Sequence, residues 1–351
     1  MRRALAAAAL ALLVGAAPQA RGARADGEGP NLSALLADAP SPLLSAYGLF
    51  RDPAAQAPNT GVTAYDVATP LFSDGALKRR FVYLPPGAQA VAAGEDVLDF
   101  PVGATLVKTF AFPADLRAPD DAVRLIETRL LIRRRDGWAS AVYLWDADGR
   151  EARLHVAGAR VPVTTIDADG AARTIDYSVP NKNQCKGCHA VDGALAPIGP
   201  RPRHLDTGDQ LARWAAAGLV DAPLPRTPRP ATLDAAARAY LDVNCAHCHN
   251  PRGPAGNSGL DLRFEQDDPA RWGVNKRPVA AGRASGGHAF AIAPGAPDRS
   301  ILLHRMESDD PGVMMPELGR TIVDREGVEL VRRWIAAMDA SGAIPQDTPH
   351  P

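Results

Sequence analysis

Tyr240–Asn250 reads YLDVNCAHCHN, and its last six residues set Cys245, Cys248 and His249 in a C-x-x-C-H spacing. Two thiols three residues apart stand on one helical turn, where each can form a thioether to a haem vinyl group. The histidine that follows is then held under the porphyrin as proximal iron ligand. The arrangement recurs as Cys185-Lys186-Gly187-Cys188-His189, and these four are the only cysteines among 351 residues. The sequence therefore predicts two covalent haems, attached at Cys185, Cys188, Cys245 and Cys248, with His189 and His249 as the proximal iron ligands.

Three other chemistries use paired cysteines: a tetrahedral zinc site, disulfides of an exported protein and a C-x-x-C redox pair. None explains why a histidine follows both pairs, nor why Met-Pro occurs where a small cytochrome would place it. For the second haem, Met315 is the expected sixth ligand, since a thioether opposite histidine raises the potential and closes the iron to substrate. Met314 and Met306 are its rivals. The first haem has no methionine between Ala190 and Arg305. His204 is its nearest candidate, with His155, His288, His304, a borrowed Met306 and a five-coordinate iron all left open. His247, between the second pair of cysteines, is expected to point away from the iron.

The N-terminus reads as an export signal. Arg2 and Arg3 precede an apolar run over Ala4–Ala17 that is short for a membrane span, and Ala23-Arg24-Ala25 offers a cleavage site. The rival reading is an uncleaved anchor. Cleavage near Ala25 removes four arginines and no acid, moving the formal charge from −1 to −5. No cysteine is placed for a lipid anchor. The expected location is the periplasm, with no membrane span in the mature chain. Lysine occurs only at 78, 108, 182, 186 and 276, and the arginines are mixed with acids, so no nucleic-acid footprint is expected.

The expected class is α+β and multidomain: an antiparallel β-sandwich-like domain followed by an α-helical dihaem region. Residues 26–60 read as an irregular lead-in containing one amphipathic piece, Leu32–Leu36. Over 61–180 period-two runs alternate with turns at Asp136-Gly137, Asp148-Gly149 and Asp169-Gly170, the strongest short hairpin signal there is. Ile126, Thr128, Leu130 and Ile132 should share one strand face. Glu127 and Arg129 share the other and should pair with charges opposite them. Trp138, Tyr143 and Trp145 read as core. The first haem segment, 181–228, is too short for a complete cytochrome fold and should lean on its neighbours. Residues 229–342 read as a cytochrome c-like unit, with helices over Leu233–Asn244 (capped by Thr232) and Asp324–Met338. A helix over Gln210–Leu219 lies between, and 343–351 reads as a disordered tail.

Residues 232–338 resemble small bacterial cytochrome c domains, including Pro294-Gly295, Ser300-Ile301-Leu302 and Met314-Met315-Pro316. Thr69–Asp74 (TPLFSD), Phe100–Gly103 (FPVG), Glu127–Leu131 (ETRLL) and the NQCKGCH ending at His189 resemble a family of exported dihaem c-type cytochromes with no settled physiological role. That resemblance implies two covalent haems and an electron carrier working between unidentified redox partner proteins, with no known substrate. The alternative expectation is a dihaem peroxidase- or oxidase-like enzyme with an open site on the first iron. A weaker one makes the β domain a docking module.

Overall fold

The computed structural model describes residues 29–344 apart from 168, 228, 229 and 280. The expected export segment over 1–25 and most of the expected tail lie outside the described residues. The described chain is mixed α+β with antiparallel sheets. A short helix, α1 (Leu32–Leu35), and the two-stranded pair β1 (Phe50–Asp52) and β2 (Ala57–Pro58) lead into a six-stranded antiparallel meander. Its strands run in sequence order: β3 (Val62–Tyr65), β4 (Leu77–Tyr83), β5 (Thr105–Phe112), β6 (Arg124–Arg134), β7 (Gly137–Trp145) and β8 (Ala152–Leu154). The hairpin of β9 (Ala159–Ile166) and β10 (Ala172–Val179) forms a separate two-stranded sheet.

One face of the meander buries Phe81, Val107, Leu130, Tyr143 and Trp145 against Leu35, Leu44, Tyr47 and Leu49. The stretch expected as an irregular lead-in therefore covers that core. Its apolar residues are too widely spaced by prolines to show a period, yet they bury fully. Tyr47 and Tyr143 meet edge to face, and their hydroxyls bond at 2.9 Å.

The other face is covered in pieces. The β9–β10 hairpin brings Val163, Ile175, Tyr177 and Val179 onto Phe110, Phe112 and Val142. The segment carrying α3 (Pro202–Leu205) and α4 (Gln210–Ala216) brings Leu205, Leu211, Trp214 and Val220 onto Val82, Leu98, Phe100 and Leu106. The β region is thus one large sheet with a small hairpin as partial second layer, not two comparable sheets. Residues 205–224 of segment 181–228 thus pack on the sheet. A register shift at Phe110/Ala111 pairs Phe110 with Glu127 and Ala111 with Leu125. Ile126 is the extra residue of this bulge and turns to the hairpin side, away from Thr128, Leu130 and Ile132.

After the first motif, on the single turn α2 (Cys185–Cys188), come the short pair β11 (Ala190–Val191) and β12 (Ala194–Leu195). The C-terminal part is helical: α5 (Leu233–Asn244), α6 (Pro269–Trp272), α7 (Ile301–Glu307) and α8 (Arg325–Ala336). Leu233, Ala237 and Leu241 of α5 pack on Val328, Val331, Trp334 and Ile335 of α8. The two helices approach so closely at Gly327 that a Cβ there would lie 2.3 Å from Tyr240 Oη. Trp334 Nε1 donates to Asp234 Oδ1 at 2.8 Å and Tyr240 Oη to Asp324 Oδ2 at 2.9 Å, pinning the crossing at both ends. Thr232 caps α5 through Ala235 N–H, and Asp324 caps α8 through Gly327 N–H. Thr232→Ala should cost about 1 kcal/mol, read as a lower denaturant midpoint at unchanged slope. Among the described residues no helix is long and apolar enough to cross a membrane.

Candidate functional site

The last turn of α5 delivers the second motif, and Asn244 fixes its position. Asn244 Oδ1 accepts from Phe72 N at 2.8 Å, joining the turn to the TPLFSD stretch that leads into β4. Two residues on, Asp74 accepts from Thr321 N, Ile322 N and Thr321 Oγ1. TPLFSD is thus the strap that ties the sheet to the helical part. The first motif is brought to the same place. Cys188 Sγ, Cys248 Sγ and a His247 ring nitrogen lie within 4.8 Å of one another, and Cys248 Sγ is 3.3 Å from the Gly187 carbonyl. The two C-x-x-C-H turns, far apart in sequence, adjoin. All four cysteines are free thiols. Cys248 and His247 beside it lower the Cys188 thiol against the effect of burial. Burial raises Cys185, and pushes Cys245 up to about 12.

The two motif histidines are held alike. His189 Nδ1 lies 3.1 Å from the Ala196 carbonyl, an acceptor only, so Nδ1 carries the proton. His249 Nδ1 lies 3.0 Å from Ser258 Oγ. That hydroxyl spends its own proton on the Ala255 carbonyl at 2.7 Å, so it accepts from the ring. In both rings Nε2 is left as the lone-pair nitrogen. Burial pushes each down to about 4, which keeps both neutral at pH 7.

Between the sheet and the helical part lies a cavity with an empty volume of about 1180 Å³, its mouth included. Cys185, Cys188, His189, Met306 and Met315 line it, facing Phe110, Leu130 and Val142 of the sheet. Cys245, Cys248 and His249 stand outside its lining, though His247 is part of it, so the cavity sets Met315 beside the first motif. Met314 is buried. Met315 is presented by a loop that Arg320 holds from within. Its guanidinium donates to the carbonyls of Arg305, Met306, Ser308, Met315 and Ile322.

His204 is elsewhere. It lines a smaller cavity on the other side of His189, and its Nε2 lies 3.3 Å from Asp242 Oδ2. Asp242 also takes Arg203 through Nε at 3.1 Å and Nη2 at 3.0 Å, with both partners buried. Burial lowers His204 despite the Asp242 bond, so the neutral ring donates Nε2–H to the carboxylate. That nitrogen is committed, which leaves Nδ1 as the lone-pair nitrogen of His204. His247 Nδ1 is buried with no hydrogen-bond partner.

No family model, curated protein or solved structure matches this chain.

The sequence reading passed over one group that shapes the site and mispaired another. Asp242 and Arg238 are four apart on α5 and look like a surface ion pair. Instead both are buried, and Arg238 donates to the Arg263 and Gln266 carbonyls while stacking on Trp272. Glu127 and Arg129 pair with each other at 2.6 Å, not with charges across the sheet, and Tyr177 Oη donates to the same carboxylate at 2.7 Å. The visible signal was the scarcity of lysine. Two of its five positions, Lys78 and Lys108, fall inside strands of this sheet.

Proposed function

We propose that the protein is an exported dihaem c-type cytochrome that carries electrons between redox partner proteins. Cys185 and Cys188 would hold one haem and Cys245 and Cys248 the other, with His189 and His249 as proximal ligands. The observation that carries this reading is the matched state of the two histidines. Each spends Nδ1–H on an oxygen of its own loop and keeps a neutral Nε2, the form in which histidine binds a metal and the arrangement by which outer partners fix a ligating ring. The donor set fits the group: two thiols and one free imidazole nitrogen per motif, with a cavity of largely apolar walls beside the first. Haem supplies one-electron redox chemistry. The chain's part is to attach and orient it, exclude water and provide the sixth ligands.

Met315 is the proposed sixth ligand of the second haem, and its place in the cavity makes it available to the first. The adjoining Cys188 and Cys248 turns favour passage of an electron between two close centres before it leaves at an exposed edge. A second reading, a peroxidase- or oxidase-like enzyme, draws on the cavity that opens beside the first motif. The test is EPR of the oxidised and half-reduced protein with added cyanide, carbon monoxide and peroxide. The carrier is expected to show two low-spin irons indifferent to all three. A high-spin iron that binds them and consumes peroxide catalytically replaces the carrier with the enzyme. In the same samples, Met315→Ala should abolish the near-infrared charge-transfer band of histidine–methionine ligation. Persistence of that band in Met315→Ala, with its loss in Met306→Ala or Met314→Ala, moves the role.

A further inference from the structure

The sheet face that walls the cavity carries a row of like charges. In register, Arg80 on β4 stands opposite Lys108 on β5, and Lys108 opposite Arg129 on β6. Like charges directly opposite on neighbouring strands destabilise the pairing. On the next rung Lys78 stands opposite Phe110. Lys78 Nζ, Lys108 Nζ and Arg129 Cζ lie 5.9, 5.0 and 4.2 Å from the centre of that single ring. Glu127 offsets one cation by taking Nε and Nη2 of Arg129. Lys78 donates to the Ala76 carbonyl at 3.0 Å.

Lys108 has no such partner. Among the described residues its Nζ makes neither hydrogen bond nor ion pair and lies over the Phe110 face. It lines the cavity together with Arg129, Cys185, Cys188 and His189. Burial, then the charges of Arg80, Lys78 and Arg129, hold its ammonium well below the ordinary lysine value despite Glu127. Among the described residues Arg129 Nη1 has no acceptor, since the bonds of this guanidinium use Nε and Nη2. Two nitrogen donors thus remain on one wall of a cavity whose other walls are largely apolar, and an entering carboxylate would supply the opposite charge that favours the ammonium form of Lys108. Two donors of this kind match the two oxygens of one carboxylate, and charge-assisted bonds of that type are the strong ones.

We propose that Lys108 Nζ and Arg129 Nη1 form a binding site for a carboxylate entering the cavity. That carboxylate is either a propionate of the haem on the first motif, a version that rests on the function proposed above, or the acid group of a free small organic ligand.

The experiment uses the exported full-length chain as wild type, Lys108→Met and Lys108→Arg, with haem counted first. The potentials of both centres are measured by spectroelectrochemistry, and acetate and succinate are titrated by calorimetry at fixed ionic strength against chloride. A propionate at the site predicts that Lys108→Met lowers one potential by at least a tenfold change in the one-electron equilibrium, about 59 mV. Lys108→Arg should restore it, and added acetate should give no saturable heat. A free ligand predicts saturable acetate or succinate binding to the wild type, at least tenfold weaker in Lys108→Met and recovered in Lys108→Arg. Unchanged potentials together with no saturable heat in the wild type overturn the site. Calorimetry needs no haem, so a chain without haem fails the functional reading while the carboxylate site is still decided by binding. Lys108→Gln serves in place of Lys108→Met if the latter does not fold.

Discussion

Asp242→Ala is expected to destabilise the protein by about 3–5 kcal/mol, the range for breaking a buried ion pair from one side. Arg203 and Asp242 are 7% and 4% exposed at their side chains, so the arginine left behind has little water to recover. The loss spreads further, because Asp242 Oδ1 also accepts from Phe264 N at 3.0 Å and Oδ2 receives His204. Glu265 and Glu95 stay near Arg203 but are more exposed, and compensate only in part. The measurement is a denaturant midpoint at pH 7.

The same group gives the effect a pH signature. Burial alone would raise the Asp242 carboxyl, but the His204 bond and the Arg203 charge together hold it well below the usual carboxylate range. A carboxyl with a depressed folded value contributes stability that is full above its unfolded value, ~3.9. That contribution is lost as pH falls through the folded value. The stability gap between wild type and Asp242→Asn should therefore be constant from neutral pH to about pH 5 and close progressively in acid. A gap independent of pH down to the acid limit would remove Asp242 from the account.

Glu127→Gln is the second large expected loss, about 3 kcal/mol and at the lower end for a broken buried pair, because Arg129 keeps a cavity-facing surface. Glu127 is fully buried and is the carboxylate set among Arg129, Lys108 and Tyr177. Removing its charge leaves the Arg80–Lys108–Arg129 row with no counter-ion of its own. Glu127→Gln combined with Lys108→Met should then recover part of the loss, since one of the remaining like charges is gone. Purely additive losses would mean that the row is not coupled, to be read from a double-mutant cycle in denaturant midpoints.

Local signals were legible in the sequence where local physics decides. Thr232 and Asp324 begin α5 and α8 because their side chains satisfy backbone N–H groups within the same turn. The Asp-Gly pairs at 136, 148 and 169 turn hairpins because glycine takes positive φ there. What was missed depends on distant partners. Ile126 changes sides because of a bulge set by pairing with β5, which nothing in β6 announces. Leu35, Leu44, Tyr47 and Leu49 looked irregular because their core is completed by strands far along the chain. Asp242 and Arg203 come together only when α3 docks on α5.

The site divides the same way. The motif cysteines and histidines were visible from their spacing. Their mutual contact, the commitment of His204 to Asp242 and the cationic wall were not, because each is made by elements that meet only in the folded chain. Arg320 belongs with them: in sequence it is one arginine among many, while in the fold it gathers the carbonyls that shape the Met315 loop.

The central claim is tested most directly by counting haem that survives denaturation. Protein exported from a host with c-type maturation machinery is denatured, extracted with acid–acetone and assayed per chain by its reduced pyridine spectrum. Two haems are expected in the wild type. One is expected in the Cys245→Ala, Cys248→Ala variant and one in the Cys185→Ala, Cys188→Ala variant. Release of all haem to the solvent, or a chain that carries zinc on its thiolates and no haem, would contradict the account.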